Sequence, residues 1–350
     1  MSGSDQAATY ADAGVDIAAG DEAVERIKGV VASTTIPGVL SAIGGFGGLF
    51  ELDLSRTPHP VLVAATDGVG TKLDVARLAG RYDTVGIDLV AMCVDDLVCV
   101  GAEPLFLLDY LAVGAVDPGR IEEIVGGIAE GCRQAHCALL GGETAEHGAL
   151  MAEVELDMAG FAVGVLEKGS ELGPARVADG DVLIGLPSPG LRSNGYTLAR
   201  HVLFDRAGLS LDDPAWEGAT SSMADELLRP SVIYAPAIVA ALGDAPGSIH
   251  AIAHITGGGI PGNLIRVLPE GARAVVDRSA ISEPEIFAEI QRRGLVAEIE
   301  MDRVFNRGVG MILVAARGAA STICASLERA GLEPSLIGGI EPGSREVLAL

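Results

Sequence analysis

The sequence predicts a two-part chain of α/β character, and three observations predict it. Its 350 residues exceed one ordinary core and correspond to about two domains at roughly 150 residues each. Short β-branched apolar runs alternate with apolar stripes of helical spacing in both halves. A polar stretch with glycine and proline, 167–180, lies between them. It divides the chain into domains at 1–170 and 171–350.

The elements follow in order. Val24, Ile27, Val30 and Val31 form a helix stripe within 21–33, and the loop Gly44-Gly45-Phe46-Gly47-Gly48 comes after it. The run 61–65 reads as a buried strand that leads into Thr66-Asp67-Gly68-Val69-Gly70-Thr71-Lys72. Residues 84–100 read as a largely buried helix, and 105–113 as a strand. Asp117 followed by Pro118 starts a helix, continued at Ile121, Ile124, Val125, Ile128 and Cys132. A short strand at 138–140 ends in Gly141-Gly142-Glu143-Thr144-Ala145-Glu146, and 154–166 is a long strand. The second half restarts with a strand at 182–186, a turn at 188–194 and a helix from about Gly195. Proline-broken helices occupy 222–242. The strand 249–255 enters Thr256-Gly257-Gly258-Gly259, and a helix follows through Leu268.

Composition bounds the function. Hydrophobic residues are 49% and charged residues 21%, which excludes a disordered chain. The net charge of −24 repels nucleic acid and anionic membranes, so neither is an expected partner, and a phosphate ligand has to be held by local chemistry. No run approaches the ~20 apolar residues of a membrane span, and 1–14 lack the basic and apolar regions of a signal peptide. Five cysteines without a Cys-x-x-Cys pair read as reduced thiols in a cytoplasmic protein.

Several loops carry candidate chemistry. In 67–72, glycines let backbone N–H groups approach a phosphate, and Lys72, one of three lysines, adds charge. The spacing is not that of a Walker A loop, and a plain turn with Asp67 capping a helix is the other reading. Asp88, Asp95 and Asp96 interrupt an apolar helix. If buried they need donors or a cation such as Mg²⁺. Otherwise they mark a solvated face or a cap. Glu143 follows two glycines at a strand end, either as part of a metal site or as an acid at a helix start. The glycines 257–259 precede a helix, as an anion site or a tight turn. Of six histidines, His254 lies nearest such a loop and is a candidate base. Ser193 lacks a G-x-S-x-G elbow, which argues against a serine hydrolase.

Taken in order, Y-A-D-A-G-V-D-I (10–17), R-I-K-G-V-V (26–31), G-G-F-G-G (44–48), T-D-G-V-G-T-K (66–72), G-I-D-L-V-A-M-C-V-D-D-L (86–97), G-A-E-P-L-F-L-L-D-Y (101–110), G-G-E-T-A-E (141–146), S-N-G-Y (193–196), H-I-T-G-G-G (254–259) and F-N-R-G-V-G-M (305–311) span nearly the whole chain. This series resembles the phosphoribosylformylglycinamidine cyclo-ligase family. The resemblance implies an N-terminal α/β domain for ATP binding and dimerisation, whose sheet pairs across a homodimer into a barrel, and a C-terminal α+β domain. It implies ATP-dependent closure of the imidazole ring of formylglycinamidine ribonucleotide, giving aminoimidazole ribonucleotide, ADP and phosphate. Carried over onto this chain, Lys28, Gly45, Gly47, Asp67, Gly68, Gly70, Thr71 and Lys72 would lie at the nucleotide, with Lys72 on phosphate. Asp67, Asp96 and Glu143 would face Mg²⁺. Arg192, Ser193, Asn194, Gly195, Thr256, Gly257, Gly258, Gly259 and Asn306 would contact the ribonucleotide.

Three positions depart from the family pattern: Arg192 where histidine is common before S-N-G-Y, Asp95 for the asparagine of an N-D-L triplet, and Gly262 for an acid. Arginine can bind phosphate but cannot act as a base near neutral pH. Two alternatives remain at this point. One is another ATP-dependent member of the superfamily, such as thiamine-phosphate kinase. The other is a catalytically silent nucleotide-binding dimer.

Overall fold

The computed structural model describes residues 16–349. The segment 1–14 and all but the last two residues of the 10–17 motif lie outside them.

The first half runs α1 (Ile17–Ala32), β1 (Pro60–Gly68), α2 (Lys72–Ala79), α3 (Val85–Cys99), β2 (Glu103–Val113), α4 (Pro118–Gln134), β3 (Ala138–Glu146) and β4 (Leu156–Glu167). The α4 start is the predicted one: Pro118 occupies the first turn, and the Asp117 carboxylate accepts from the Gly119 and Arg120 amides. That satisfies N–H groups which have no partner inside the helix. The four strands are ordered β1-β4-β2-β3. β4 is antiparallel to both β1 and β2, and β3 runs parallel to β2. The strand predicted at 138–140 is longer than expected, because pairing with β2 continues through Gly141 and Gly142 to Glu146.

α3 is apolar almost all round, and Val85 through Asp95 are nearly all buried. It packs on β1, β2 and β4 of its own half and on β6 and α7 of the other. On the opposite face of the small sheet, Phe50 packs on Phe106, while Leu62, Tyr110 and Phe161 are exposed.

The second half continues with β5 (Val182–Pro187), α5 (Tyr196–Arg200), α6 (Met223–Leu227), α7 (Ala235–Asp244), β6 (Ile249–His254), α8 (Gly259–Leu264), β7 (Ala272–Val276), α9 (Glu285–Gly294), α10 (Glu298–Val304), β8 (Val309–Ala315), α11 (Ala320–Arg329), β9 (Ser335–Pro342) and β10 (Glu346–Ala349). Its six strands are ordered β10-β7-β9-β5-β8-β6, antiparallel except for β10 beside β7. The helix predicted from Gly195 lasts five residues before widening into a π-turn at His201–Arg206. One continuous apolar core links the halves, from Ala23 and Leu89 through Tyr234 to Leu327. Among the described residues, no helix is long and apolar enough to cross a membrane.

The crossing of α3 and α4 is set by glycine. A β-carbon on Gly86 would fall on the backbone of Gly127 and Ile128, and backbone atoms cannot move aside as a side chain can. Gly86→Ala is therefore expected to lower stability by at least about 1–3 kcal/mol, the usual range for an overpacked core. A urea titration checks this, and an unchanged midpoint would mean that the helices are not in contact at this residue.

Candidate active site

The site is built around the aspartates of α3. Asp88 and Asp95, seven residues apart, share one face of the helix, and both are fully buried. Asp88 lies 2.6 Å from Lys72 Nζ and accepts from the amide and hydroxyl of Ser231 at 2.9 and 2.6 Å. Asp95 Oδ2 accepts from Arg192 Nη2 at 2.8 Å, and its Oδ1 accepts from the amides of Tyr234 and Ala235 at 2.9 and 3.1 Å. Protein donors, not a metal ion, therefore answer the cost of burying these two carboxylates. Burial pushes the Asp95 carboxyl upward, and the Arg192 charge opposes it.

Asp96 is turned away from that face, and its side chain is 47% exposed. Its Oδ1 lies 2.8 Å from His254 Nδ1. On the other side of the ring, His254 Nε2 lies 3.1 Å from Arg192 Nη2. Arg192 stacks on Tyr234, its guanidinium carbon 4.9 Å from the ring centre, and it holds a left-handed backbone with φ of 61°. Asp67, at the end of β1, is the fourth member. Its carboxyl is pushed up by burial and by the charge of Asp96, against the Gly68 amide and His254, which favour the charged form. Two accessible carboxylates that repel one another suit a hard divalent cation, so Asp67 and Asp96 fit Mg²⁺.

A second feature lies on the same sheet. Asp67 pairs with Gly160 on β4, Gly160 with Asp109 on β2, and Asp109 with Gly142 on β3. This transverse row alternates carboxylate and glycine. The glycines make room: a β-carbon on Gly142 would fall on the Asp109 carboxylate. Beside Asp109 lies a cavity of about 600 Å³, formed by α1, the loop 42–48 and the segment 141–144. Asp109 lies at the wall of this cavity, and burial pushes its carboxyl up to about 7, with the charge of Glu143 adding to the effect.

The structure sorts the predicted residues. Gly45 and Gly47 line the cavity, as does Glu143. Lys28 is exposed on α1 and pairs with Glu25. Gly68, Gly70 and Thr71 form the turn into α2, where Thr71 touches Thr197 of the second half at 3.1 Å. Lys72 is corrected. Its Nζ has no exposure and is held by Asp88 and by the carbonyls of Arg192 and Arg229 at 3.2 and 2.7 Å, so it joins the halves and does not present charge to a phosphate. His254 is corrected as a free base, since both ring nitrogens are engaged. Asn306 is buried, its Nδ2 donating to the Gly190 carbonyl and its Oδ1 accepting from the Gly308 amide at 2.9 and 2.8 Å. Glu143 belongs to the cavity, and among the described residues no three His, Cys, Asp or Glu side chains form a ready metal cluster.

Near the ribonucleotide positions, Ser193 Oγ is buried without a partner, and Asn194 Oδ1 stands beside Gly257. Gly195, at φ of 78°, packs where a β-carbon would enter Phe305. The turn 256–259 is pinned by Asn263, whose Nδ2 donates to the Gly257 and Gly259 carbonyls at 3.2 and 2.9 Å. Sequence reasoning passed over Asn263 and Asp109. Asp109 carried a usable signal, an acid inside an otherwise apolar strand, whereas Asn263 carried none.

Comparison with known proteins gives a consistent picture. Residues 52–166 match the N-terminal domain, and 178–350 the C-terminal domain, of AIR synthase related protein. A phosphoribosylformylglycinamidine cyclo-ligase of Anaeromyxobacter dehalogenans is 52% identical over 336 residues, covering 96% of each chain. One from Trichlorobacter lovleyi is 50% identical over 338 residues, covering 97% of this chain and 96% of its own. Among solved structures, thiamine-monophosphate kinase from Stenotrophomonas maltophilia superposes with a TM-score of 0.67 over 94% of this chain and 95% of its own, at 19% identity. Hydrogenase maturation protein HypE in complex with ATP gives 0.64 over 93% and 90%, at 17% identity. These two share the fold.

Two outcomes follow from the buried charges. Lys72→Met leaves Asp88 without its cation and is expected to cost about 3–5 kcal/mol in urea unfolding, as for a broken buried pair; a parent-like midpoint would refute the pairing. Asp109 has a folded value of about 7 against an ordinary 3.8, so the native state binds this proton more tightly than the unfolded one. Its destabilising effect is absent below the unfolded value, grows as pH rises from about 4 to about 7 and then levels off. Asp109→Asn is thus expected to gain stability over the parent across that window, checked by melts at pH 4 and pH 8.

Proposed function

The chain belongs to the AIR synthase related family, and we propose that it closes the imidazole ring of formylglycinamidine ribonucleotide with ATP, in purine biosynthesis. The observation that carries this reading is the identity of about half, along nearly the entire length of both chains, with enzymes named phosphoribosylformylglycinamidine cyclo-ligase. The γ-phosphoryl group of ATP passes to the formyl oxygen, and ADP is released. The ribosyl-bearing nitrogen attacks the activated carbon. Phosphate then leaves with that oxygen, the nitrogen loses its proton, and aminoimidazole ribonucleotide is the product. An amide oxygen is a poor leaving group and a phosphate a good one, which is why ATP is needed.

Such a reaction asks for positioning and charge neutralisation more than for a protein nucleophile. The segment 1–170 serves as the nucleotide-binding part. The glycines of 44–48 offer backbone N–H groups at a cavity of about 600 Å³, which is within the usual size for a cofactor-sized ligand. Asp67 and Asp96 hold Mg²⁺, which when bound neutralises phosphate charge. Ser193, Asn194 and Gly257 face the ribonucleotide from 171–350. The sheet face that exposes Leu62, Tyr110 and Phe161 pairs with a second copy of the chain, closing a barrel, and the enzyme works in the cytoplasm.

The test is an assay for aminoimidazole ribonucleotide formation with and without Mg²⁺. The purified chain is expected to form product only with ATP and Mg²⁺, and Asp67→Asn to lower kcat by about 100-fold or more, the scale of losing one transition-state electrostatic contact. Binding of Mg-ATP without ring closure would overturn the function. Full activity in Asp67→Asn would overturn the metal assignment.

A further inference from the structure

We propose that Arg192 is a positioning residue that fixes the tautomer and orientation of His254 and thereby aims the Asp96 carboxylate. The inference rests on the proposed role of Asp96 and concerns how this chain holds it. One nitrogen of Arg192, Nη2, carries two N–H bonds. It lies 2.8 Å from Asp95 Oδ2 and 3.1 Å from His254 Nε2, so each neighbour receives one. A guanidinium has donors only. The His254 nitrogen that faces it must therefore accept, and the proton of the neutral ring lies on Nδ1. That nitrogen is 2.8 Å from Asp96 Oδ1 and donates to it. The relay runs Asp95, Arg192, His254, Asp96, and each link has one direction.

The arrangement is rigid where it needs to be. Asp95 is anchored by the amides of Tyr234 and Ala235, Arg192 stacks on the Tyr234 ring, and His254 is 5% exposed. Only Asp96 reaches solvent, next to Asp67. A histidine whose outer nitrogen holds a carboxylate and whose inner nitrogen is fixed by a donor is an orienting device. It is not a proton acceptor for the reaction, since its lone pair is occupied. Arg192 and Asp95 are thus the two ends of one buried ion pair.

The experiment uses the full chain labelled with ¹⁵N-histidine. Long-range ¹⁵N–¹H correlation reads which ring nitrogen of His254 carries the proton, with His254→Gln to assign the signals. The unaltered chain is expected to show the Nδ1–H form. Asp95→Asn combined with Arg192→Met removes both charges while keeping an acceptor for the Tyr234 and Ala235 amides, so the fold is retained. In it the ring is expected to lose its single tautomer, and kcat for ring closure to fall by about 10–100-fold, the usual effect of losing such an outer partner, with the KM for ATP little changed. Arg192→Lys, paired with unaltered Asp95, restores a donor and is expected to recover part of kcat. It also serves if the double variant does not fold. An Nε2–H signal in the unaltered chain, or an unchanged tautomer and kcat in the double variant, overturns the proposal. Absence of ring closure in the unaltered chain overturns the proposed function instead, and leaves the tautomer measurement to decide this one.

Discussion

Two carboxylates buried in the middle of one apolar helix are the constraint on which the rest of this molecule depends. Asp88 and Asp95 have no exposure, and an unpaired charge in such a place is costly enough to unfold a domain of ordinary stability. α3 has no donors of its own to offer, so they must come from elsewhere. They arrive from α2 through Lys72 and from the second half through Arg192, Ser231, Tyr234 and Ala235. The two halves are therefore joined by charge as well as by apolar contact. A buried ion pair is weak as a source of stability but strong as a source of register. Here it sets α3 at one rotation, and at that rotation Asp96 faces outward.

The sheet supplies the second coordinate. Asp67 and Asp109 sit on one transverse row, separated by Gly160 on the intervening strand. Adjacent strands lie about 4.8 Å apart, so the row fixes the lateral distance between the Asp67 cluster and the glycine-lined cavity at roughly two strand spacings. A nucleotide has that kind of extent, with its base and phosphates at opposite ends. A rigid row of this sort positions a site better than a loop does, because backbone pairing on both sides resists displacement.

The fold was largely legible in the sequence, the site only in part. Strands such as 61–65 and helices such as 117–132 declare themselves through β-branched runs, the Asp-Pro cap and helical spacing, which are local properties. The aspartates of α3 were legible as an anomaly, but periodicity does not say what answers a buried charge. Asp88 and Asp95 found an arginine and amides 97 to 143 residues away and a lysine one helix earlier, and Asp96 found His254. Lys72 reads as a phosphate ligand because it follows a glycine turn. Its Nζ instead turns inward to Asp88, a partner sixteen residues on that no spacing rule singles out. The backbone partners of the Asn306 amide, Gly190 and Gly308, were equally visible only in three dimensions.

The charge of the chain closes the argument. At −24 its long-range field opposes a triphosphate, and two cations beside the carboxylate cluster, Lys72 and Arg192, are consumed by buried aspartates. What faces outward near Asp67 and Asp96 is negative. A negative site of this kind cannot attract a bare polyphosphate, but it can take one whose charge is already offset by a divalent ion. In the proposed arrangement glycine amides supply the remaining donors without adding side-chain charge. The acidity of the site is then no obstacle to binding nucleotide. With Asp67 and Asp96 as the proposed metal ligands, it would select for the metal-complexed form over free phosphate.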